Sequence, residues 1–182
     1  AAAPARPGPD TWRYHVTWTH RPDADRAPAP DALAGHWLAV VPEHLAEDTY
    51  TAGVSAVPAA YGADVSTVTV AAGSDRAALT ERLRDAAGDG PVAGVLSLLA
   101  LDERPCPGHP AAPAGLVATV ALVQALGDTG LTAPLWLATR GAVAVDAADR
   151  LAAAAQSPVW GLGRVVGLEH ADRWGGLVDL PA

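Results

Sequence analysis

The side chains of this sequence that could do chemistry are its six histidines, its one cysteine and its three tyrosines. The histidines have neither the HxxxH nor the HExxH spacing of a metal site, and a single cysteine cannot build a structural zinc site. The segments around Ser55 and Ser97 lack the Gly-x-Ser-x-Gly turn that a serine nucleophile needs. Tyr50 and Tyr61 are each followed four positions later by valine, so neither belongs to a Tyr-x3-Lys proton relay. We therefore expect no catalytic residue and no metal ligand in this chain.

A glycine-rich run near the end of the chain superficially resembles a dinucleotide fingerprint. A pyrophosphate needs such glycines in the turn between a strand and a helix, where the backbone can approach it. Here they follow residues with which a helix is predicted to begin, and their spacing differs from the fingerprint. We interpret Trp160, Gly161, Gly163 and Arg164 as a packing motif, in which small residues let a helix approach the sheet closely.

The turn that should bind phosphate is the first one between a strand and a helix, Val41 to Leu45. It contains a proline and a glutamate and no glycine. A carboxylate there repels phosphate, and the sequence has no lysine that could serve a phosphate loop. We expect no cofactor-binding residue in this chain.

The composition narrows the classes of partner. Twenty acidic and twelve basic residues give a net charge of −8, with no basic cluster for nucleic acid or an anionic membrane surface. No apolar run reaches the roughly 18 residues of a membrane span. The lone Cys106 cannot form an internal disulfide, so we expect a reducing, cytoplasmic setting. Because the sequence has no methionine, we expect it to be part of a longer polypeptide.

The chain divides into two linkers, one isolated strand and one folded unit. The linkers are rich in proline and alanine and have no periodicity. The isolated strand alternates, which places Trp12, Tyr14, Val16 and Trp18 on one apolar face. A strand between two linkers is expected to pair outside its own domain. The parts are linker 1–11, strand 12–18, linker 19–34 and folded unit 35–182.

Strands and helices alternate in the folded unit. Strands are predicted at 37–41, 65–70, 92–99, 135–139 and 177–180, and helices at 49–61, 75–87, 113–126, 147–155 and 158–168. Such alternation produces right-handed βαβ units. The expected fold is α/β, a doubly wound, mostly parallel sheet with helices on both faces.

Four segments together resemble one known family. They are WRYHVTW at 12–18, VAGVLSLLA at 92–100, PLWLATRGAV at 134–143 and PVWGLGRVVGLEHADRWGGLVDLP at 158–181. These motifs are similar to the N-terminal, structural subdomain of the ketoreductase domain of modular type I polyketide synthases. The resemblance extends from about residue 11 to the end of the chain.

The resemblance implies a ketoreductase made of two Rossmann-like halves. The second half would bind NADPH and reduce the β-keto group of a polyketide intermediate held by an acyl carrier protein. The first half, a truncated Rossmann-like fold without a cofactor site, would brace the second, and the strand at 12–18 would pair with it. The implied partners are the catalytic ketoreductase subdomain and the acyl carrier protein of the same multienzyme, with no nucleic acid and no membrane.

Two alternatives stay open. The chain could be an architectural remnant in a module whose ketoreductase is inactive. It could also be a self-standing enzyme of the short-chain dehydrogenase type, although the absent lysine and the absent phosphate-binding glycines count against that class.

Overall fold

The computed structural model of the chain describes residues 16–20, 28–146 and 148–181. Its strands are β1 (Gly35–Pro42), β2 (Ala63–Val70), β3 (Val92–Ser97), β4 (Pro105–Cys106), β5 (His109–Pro113), β6 (Leu135–Arg140) and β7 (Trp174–Leu180). Five of them form a parallel sheet in the order β2-β1-β3-β6-β7, while β4 and β5 form a small antiparallel hairpin. The predicted mostly parallel α/β fold is confirmed.

The α-helices of the described residues are α1 (Thr49–Ser55), α2 (Arg76–Ala87), α3 (Ala114–Thr129) and α4 (Pro158–Glu169). The carboxylate of Asp75 caps α2 by accepting a hydrogen bond from the amide of Ala78 at 2.8 Å. α3 is terminated by Gly130, the residue directly after the helix, whose φ of 73° is in the left-handed region that glycine adopts without strain. No helix of the described residues is both long and apolar enough to cross a membrane.

The two faces of the sheet are covered unequally. Helices α2, α3 and α4 pack on one face and contribute to a continuous core around Leu38, Val95 and Leu137, each almost fully buried. Burying one such side chain stabilises the fold by about 1.5–3 kcal/mol. On the other face a much smaller cluster forms around Val41 and Ala138, against which the short α1 packs. This second face therefore keeps apolar side chains near its surface.

Two tryptophans cover glycines of neighbouring strands on this second face. The ring of Trp37 in β1 lies over Gly94 in β3, where a Cβ would be 2.5 Å from Cζ3 of the indole. The ring of Trp136 in β6 lies over Gly175 in β7, where a Cβ would be 2.5 Å from Nε1. Only glycine leaves room for an aromatic ring to lie flat on the adjacent strand.

The structure differs from the predicted elements at two helices. The helix predicted at 147–155 is absent: the described residues of that segment form turns and a short 3-10 helix, Ala154–Gln156. The helix predicted at 49–61 ends at Ser55, and a separate 3-10 helix, Pro58–Tyr61, follows it. Proline lacks the amide that would continue the α-helical bonding, so the helix stops before Pro58.

Candidate functional site

The order of the strands places a potential ligand crevice between β1 and β3. The chain leaves β1 towards β2 on one side and later returns to form β3 on the other, so the connections diverge at the carboxyl ends of these two strands. In open α/β sheets, ligands bind outside the carboxyl ends of the strands at such a point. The residues there decide whether this chain can hold a nucleotide.

The start of α1, nearest to this crevice, is occupied by a carboxylate of the chain itself. Asp48 accepts a hydrogen bond from the amide of Thr51 at 2.9 Å and a second one from its hydroxyl at 3.1 Å. These bonds, the one from the amide first, hold the pKa of Asp48 below its ordinary value. A helix start that binds a pyrophosphate presents its amides to the ligand, whereas here Asp48 already accepts from one of them.

An ion pair with a buried carboxylate lies on the β3 side of the same crevice. Asp102, which is 5 % exposed, accepts two hydrogen bonds of 2.8 Å from the guanidinium of Arg104. The same guanidinium donates to Nδ1 of His44 at 2.8 Å, which joins the loop after β1 to the loop after β3. Burial opposes the ionisation of Asp102, but the bonds from Arg104 and the nearby His44 outweigh it and hold the pKa of Asp102 below its ordinary value.

An open cleft of about 370 Å³ lies beside this ion pair. The guanidinium of Arg140 stacks on the ring of Tyr50 at 3.8 Å. The cleft is lined by Leu45, Asp48, Tyr50, Thr51, Leu101, Glu103, Arg140, Ala152, Ala153 and Gln156. Gln156 accepts from the amide of Arg140 at 2.9 Å and donates to Glu103 at 2.8 Å. The side-chain amide of Gln156 is therefore already hydrogen-bonded to other residues of the protein.

This crevice does not fit the pyrophosphate of a dinucleotide. A phosphate would meet the carboxylates of Asp48 and Glu103, and Arg140, the guanidinium among the lining residues, is stacked on Tyr50. Within residues 16–20, 28–146 and 148–181, no three side chains of His, Cys, Asp or Glu come together as a metal site.

A second polar cluster lies at the carboxyl ends of β6 and β7. The indole Nε1 of Trp160 donates to Oγ1 of Thr139 at 2.9 Å, and that hydroxyl donates to Asp179 at 2.6 Å. Asp179 also accepts hydrogen bonds from the amides of Ala142 and Val143, at 3.0 and 3.3 Å. The cluster fixes the loop that follows β6 relative to α4.

The four residues of the predicted packing motif differ in their burial and in their contacts with the sheet. Trp160 is half-buried, and Gly163 is buried against Leu177 of β7, where a Cβ would lie 2.8 Å from Cδ1. Gly161 faces open space and Arg164 is exposed, so the predicted close contact with the sheet is wrong for these two positions.

Residues 12–15 of the predicted isolated strand, among them Trp12 and Tyr14, lie outside the described residues. Val16 and Trp18 are exposed, and residues 16–20 form no strand in this chain. The ring of Trp18 contacts that of Trp160 edge to face, with centroids 5.5 Å apart. The strand and its pairing stay predictions, but the structure places Trp18 at the first turn of α4.

Comparison with known proteins identifies the family. Residues 16–182 match the model of the Rossmann fold domain of the polyketide synthase extender module SpnB. The chain belongs to this family. The domain is 53 % identical over 175 residues to polyketide synthase GfsA of Streptomyces halstedii, covering 94 % of this chain and 2 % of that protein. It is 48 % identical over 176 residues to the pikromycin synthase component PikAII of Streptomyces venezuelae, covering 95 % of this chain and 5 % of that one.

Solved structures similar to this Rossmann domain include ketoreductases of polyketide synthases. It is similar to a C2-type ketoreductase from a modular polyketide synthase, with a TM-score of 0.78 and 49 % identity, over 82 % of this chain and 33 % of that one. It is also similar to the first ketoreductase of the tylosin synthase, with a TM-score of 0.71 and 34 % identity, over 94 % and 34 % of the two chains. The domain thus spans about a third of these ketoreductases and a few per cent of the curated relatives. The resemblance stated from the sequence motifs is confirmed.

Sequence reasoning missed the ion pair of Asp102 and Arg104 with His44. Asp102 stands in a run of charged residues that is typical of an exposed turn, whereas in the structure it is buried. The signal available in the sequence was an aspartate, Asp102, two positions before Arg104. His44 approaches this pair only because β1 lies next to β3.

Proposed function

We propose that this Rossmann domain is the structural, non-catalytic half of a polyketide synthase ketoreductase. It packs against and braces a catalytic half, which binds NADPH and reduces the β-keto group of an intermediate held by an acyl carrier protein. This chain supplies no catalytic residue and binds no cofactor. The other half and the acyl carrier protein are its partners in the same cytoplasmic multienzyme.

The observation that carries this proposal is the set of carboxylates at the crevice between β1 and β3. Asp48 caps the helix where a phosphate would bind, Glu103 lines the same cleft, and Asp102 and Arg104 form an ion pair beside it. A dinucleotide-binding half would instead line this crevice with free backbone amides. This chain matches only a third of the C2-type ketoreductase chain. That share supports the proposal that the catalytic residues lie in another half of the ketoreductase.

The inter-subdomain strand is the proposed physical link between the halves. Trp12, Tyr14, Val16 and Trp18 share one face of the predicted strand, and a strand with this much apolar area is unstable in water without partners. Main-chain pairing with the catalytic half and burial of these side chains would hold the two together.

Deletion of residues 1–20 tests the proposal. The chain is co-expressed with the catalytic half of its own ketoreductase, which carries the affinity tag. The intact chain should co-purify with that half and support reduction of a β-ketoacyl thioester, whereas the truncated chain should remain folded by circular dichroism and do neither. Equal co-purification of both forms would contradict the pairing of this strand.

The alternative of a self-standing short-chain dehydrogenase would require a pyrophosphate site in the same crevice. The carboxylates of Asp48 and Glu103 in the cleft disfavour it. An inactive module, the other alternative, would differ only in the catalytic half: the complex would form but would not reduce the thioester.

A further inference from the structure

The side chain of Trp18 is held by the folded unit, although residues 16–20 belong to none of its strands or helices. Its ring meets the ring of Trp160 edge to face, with the centroids 5.5 Å apart and the planes inclined by 74°. This arrangement is one of the favourable ones for aromatic pairs and adds an attraction beyond the burial of apolar area. The contact therefore gives a place to residues that no strand of the described chain holds.

Trp160 is a rigid partner for this contact because its own ring is fixed at the indole nitrogen. Its Nε1 donates a hydrogen bond of 2.9 Å to Oγ1 of Thr139, a buried residue of β6. The hydroxyl of Thr139 donates in turn to Asp179 of β7 at 2.6 Å. A buried network whose members are all hydrogen-bonded holds its side chains in one arrangement. Trp18 thus rests on a ring that is tied to α4, β6 and β7 at once.

The contact lies outside the hydrophobic core. Neither ring is among the residues of the two hydrophobic clusters that the described residues form, and Trp18 is 43 % exposed. Val16, two residues earlier, is 55 % exposed. A strand advances by about 3.3 Å per residue, so Trp12, the first residue of the predicted strand, would be about 20 Å from Trp18. The pair therefore lies at a border of the domain, from which the predicted strand can reach a neighbouring half.

We propose that Trp18 and Trp160 form an anchor that positions the inter-subdomain strand for the catalytic half. The inference rests on the proposed function and names Trp160 as the residue of this domain on which the strand depends. Of the four apolar residues of the strand, Trp18 stays on Trp160 in the complex, whereas Trp12, Tyr14 and Val16 contact the catalytic half.

The anchor acts by reducing the entropy that the strand loses on binding. A segment that is already held at one end has fewer conformations to lose when it pairs, so the complex gains affinity without a new contact to the partner. The coupling is reciprocal, so the catalytic half strengthens the contact between Trp18 and Trp160 by the same factor. Trp160 is a positioning residue in this account, and it touches neither substrate nor cofactor.

A double-mutant cycle on the co-expressed complex tests the anchor, with the dissociation constant measured by dilution. Trp18→Ala should raise the dissociation constant about tenfold in the otherwise unaltered chain. In a chain that already carries Trp160→Leu, Trp18→Ala should have no further effect, because the contact is already lost. If Trp18 instead contacted the catalytic half directly, the two effects would multiply, and the inference would be wrong.

Two further variants serve as controls in the same segment. Val16→Ala is the matched control, because Val16 contacts the partner in this account. Its effect on the dissociation constant should multiply with that of Trp160→Leu. Trp18→Phe keeps an aromatic ring on Trp160 and should bind nearly as tightly as the unaltered chain. Equal losses of affinity in Trp18→Phe and Trp18→Ala would contradict the aromatic contact.

The indole signal of Trp160 in an NMR spectrum shows whether the contact persists in the complex. This signal is identified by its loss in Trp160→Phe, and the neighbouring ring of Trp18 displaces it. Trp18→Ala should therefore move the signal in the chain alone and also in the complex. A signal that moves in the chain alone but not in the complex would show that Trp18 leaves Trp160 on binding, which overturns the inference.

Stability measurements separate positioning from folding. A contact that served folding alone would lower the urea midpoint of the chain and leave the dissociation constant of the folded variants unchanged, which would overturn the inference. Circular dichroism identifies the variants that fold. If Trp160→Leu does not fold, Thr139→Val takes its place in the cycle, because it removes the acceptor that orients the ring of Trp160.

Failure of the proposed function would look different from failure of the anchor. If the intact chain forms no complex with the catalytic half, the proposed function fails and this inference fails with it. If deletion of residues 1–20 abolishes the complex while Trp18→Ala binds as tightly as the unaltered chain, the strand joins the halves without an anchor. In that case this inference alone is wrong and the proposed function stands.

Discussion

Gly163 of α4 lies directly on Leu177 of β7, so that a Cβ at residue 163 would be 2.8 Å from Cδ1 of the leucine. Gly163→Val should therefore lower the free energy of unfolding by about 1–3 kcal/mol, because the helix must move away from the sheet. Gly161, two residues earlier on the same helix, faces open space. Gly161→Ala should leave stability unchanged or raise it by up to about 1 kcal/mol. Urea denaturation of both variants checks the pair, and similar losses in both would contradict this packing.

The bond between Trp160 and Thr139 should be visible as an energetic coupling. Trp160→Phe removes the indole donor and keeps an aromatic ring, so we expect a loss of about 1 kcal/mol in the free energy of unfolding. Thr139→Val removes the acceptor and also the bond to Asp179. In a double-mutant cycle the two changes should be less than additive, and strict additivity would show that the bond contributes nothing.

The ion pair between the buried Asp102 and the partly exposed Arg104 predicts a specific loss of stability in acid. Because the folded-state pKa of Asp102 lies below the unfolded value of about 3.9, its contribution is fully present above that pH and is lost as the pH falls through the lowered pKa. Asp102→Asn should cost about 1.5–3 kcal/mol at neutral pH, the range for hydrogen bonds to charged groups. The difference between wild type and variant should shrink below pH ~4 in denaturation experiments. A difference independent of pH would refute the role given to this carboxylate.

The isolated chain should not bind NADPH. The carboxylates of Asp48 and Glu103 line the cleft that a pyrophosphate would have to enter, and the guanidinium of Arg140 in its lining is stacked on Tyr50. Calorimetric titration of the chain with NADPH should give no saturable heat, with a complete ketoreductase as the positive control. Saturable binding in the micromolar range would mean that the crevice rearranges to accept the cofactor.

Local patterns predicted the strands well because every strand of a parallel sheet carries its own apolar signal. Val92–Ser97, for example, is a nearly continuous apolar run because both of its faces are covered. The alanine-rich segment 147–155 misled the prediction because helix propensity is only a weak preference. In the structure Asp146 accepts from the amides of Ala148 and Asp149, and the carbonyl of Gly141 accepts from those of Ala152 and Ala153. These bonds replace the helical ones.

Contacts between distant parts of the chain could not be predicted in this way. Trp136 and Gly175 are neighbours only because β6 pairs with β7, and the register shifts beside them. His44 and Arg104 meet only because β3 lies next to β1. The sequence predicts that the turn after β1 does not bind phosphate, but the residues that meet beside this turn follow from the strand order alone.

The most direct test of the central claim is the rate at which the catalytic half reduces a β-ketoacyl thioester with NADPH, measured alone and in complex with this chain. We predict that the isolated catalytic half is unstable and inactive, and that the complex is active although this chain binds no cofactor. Replacing the matched region of the C2-type ketoreductase with this chain provides a second form of the same measurement. A catalytic half that is equally stable and equally active without this chain would contradict the account.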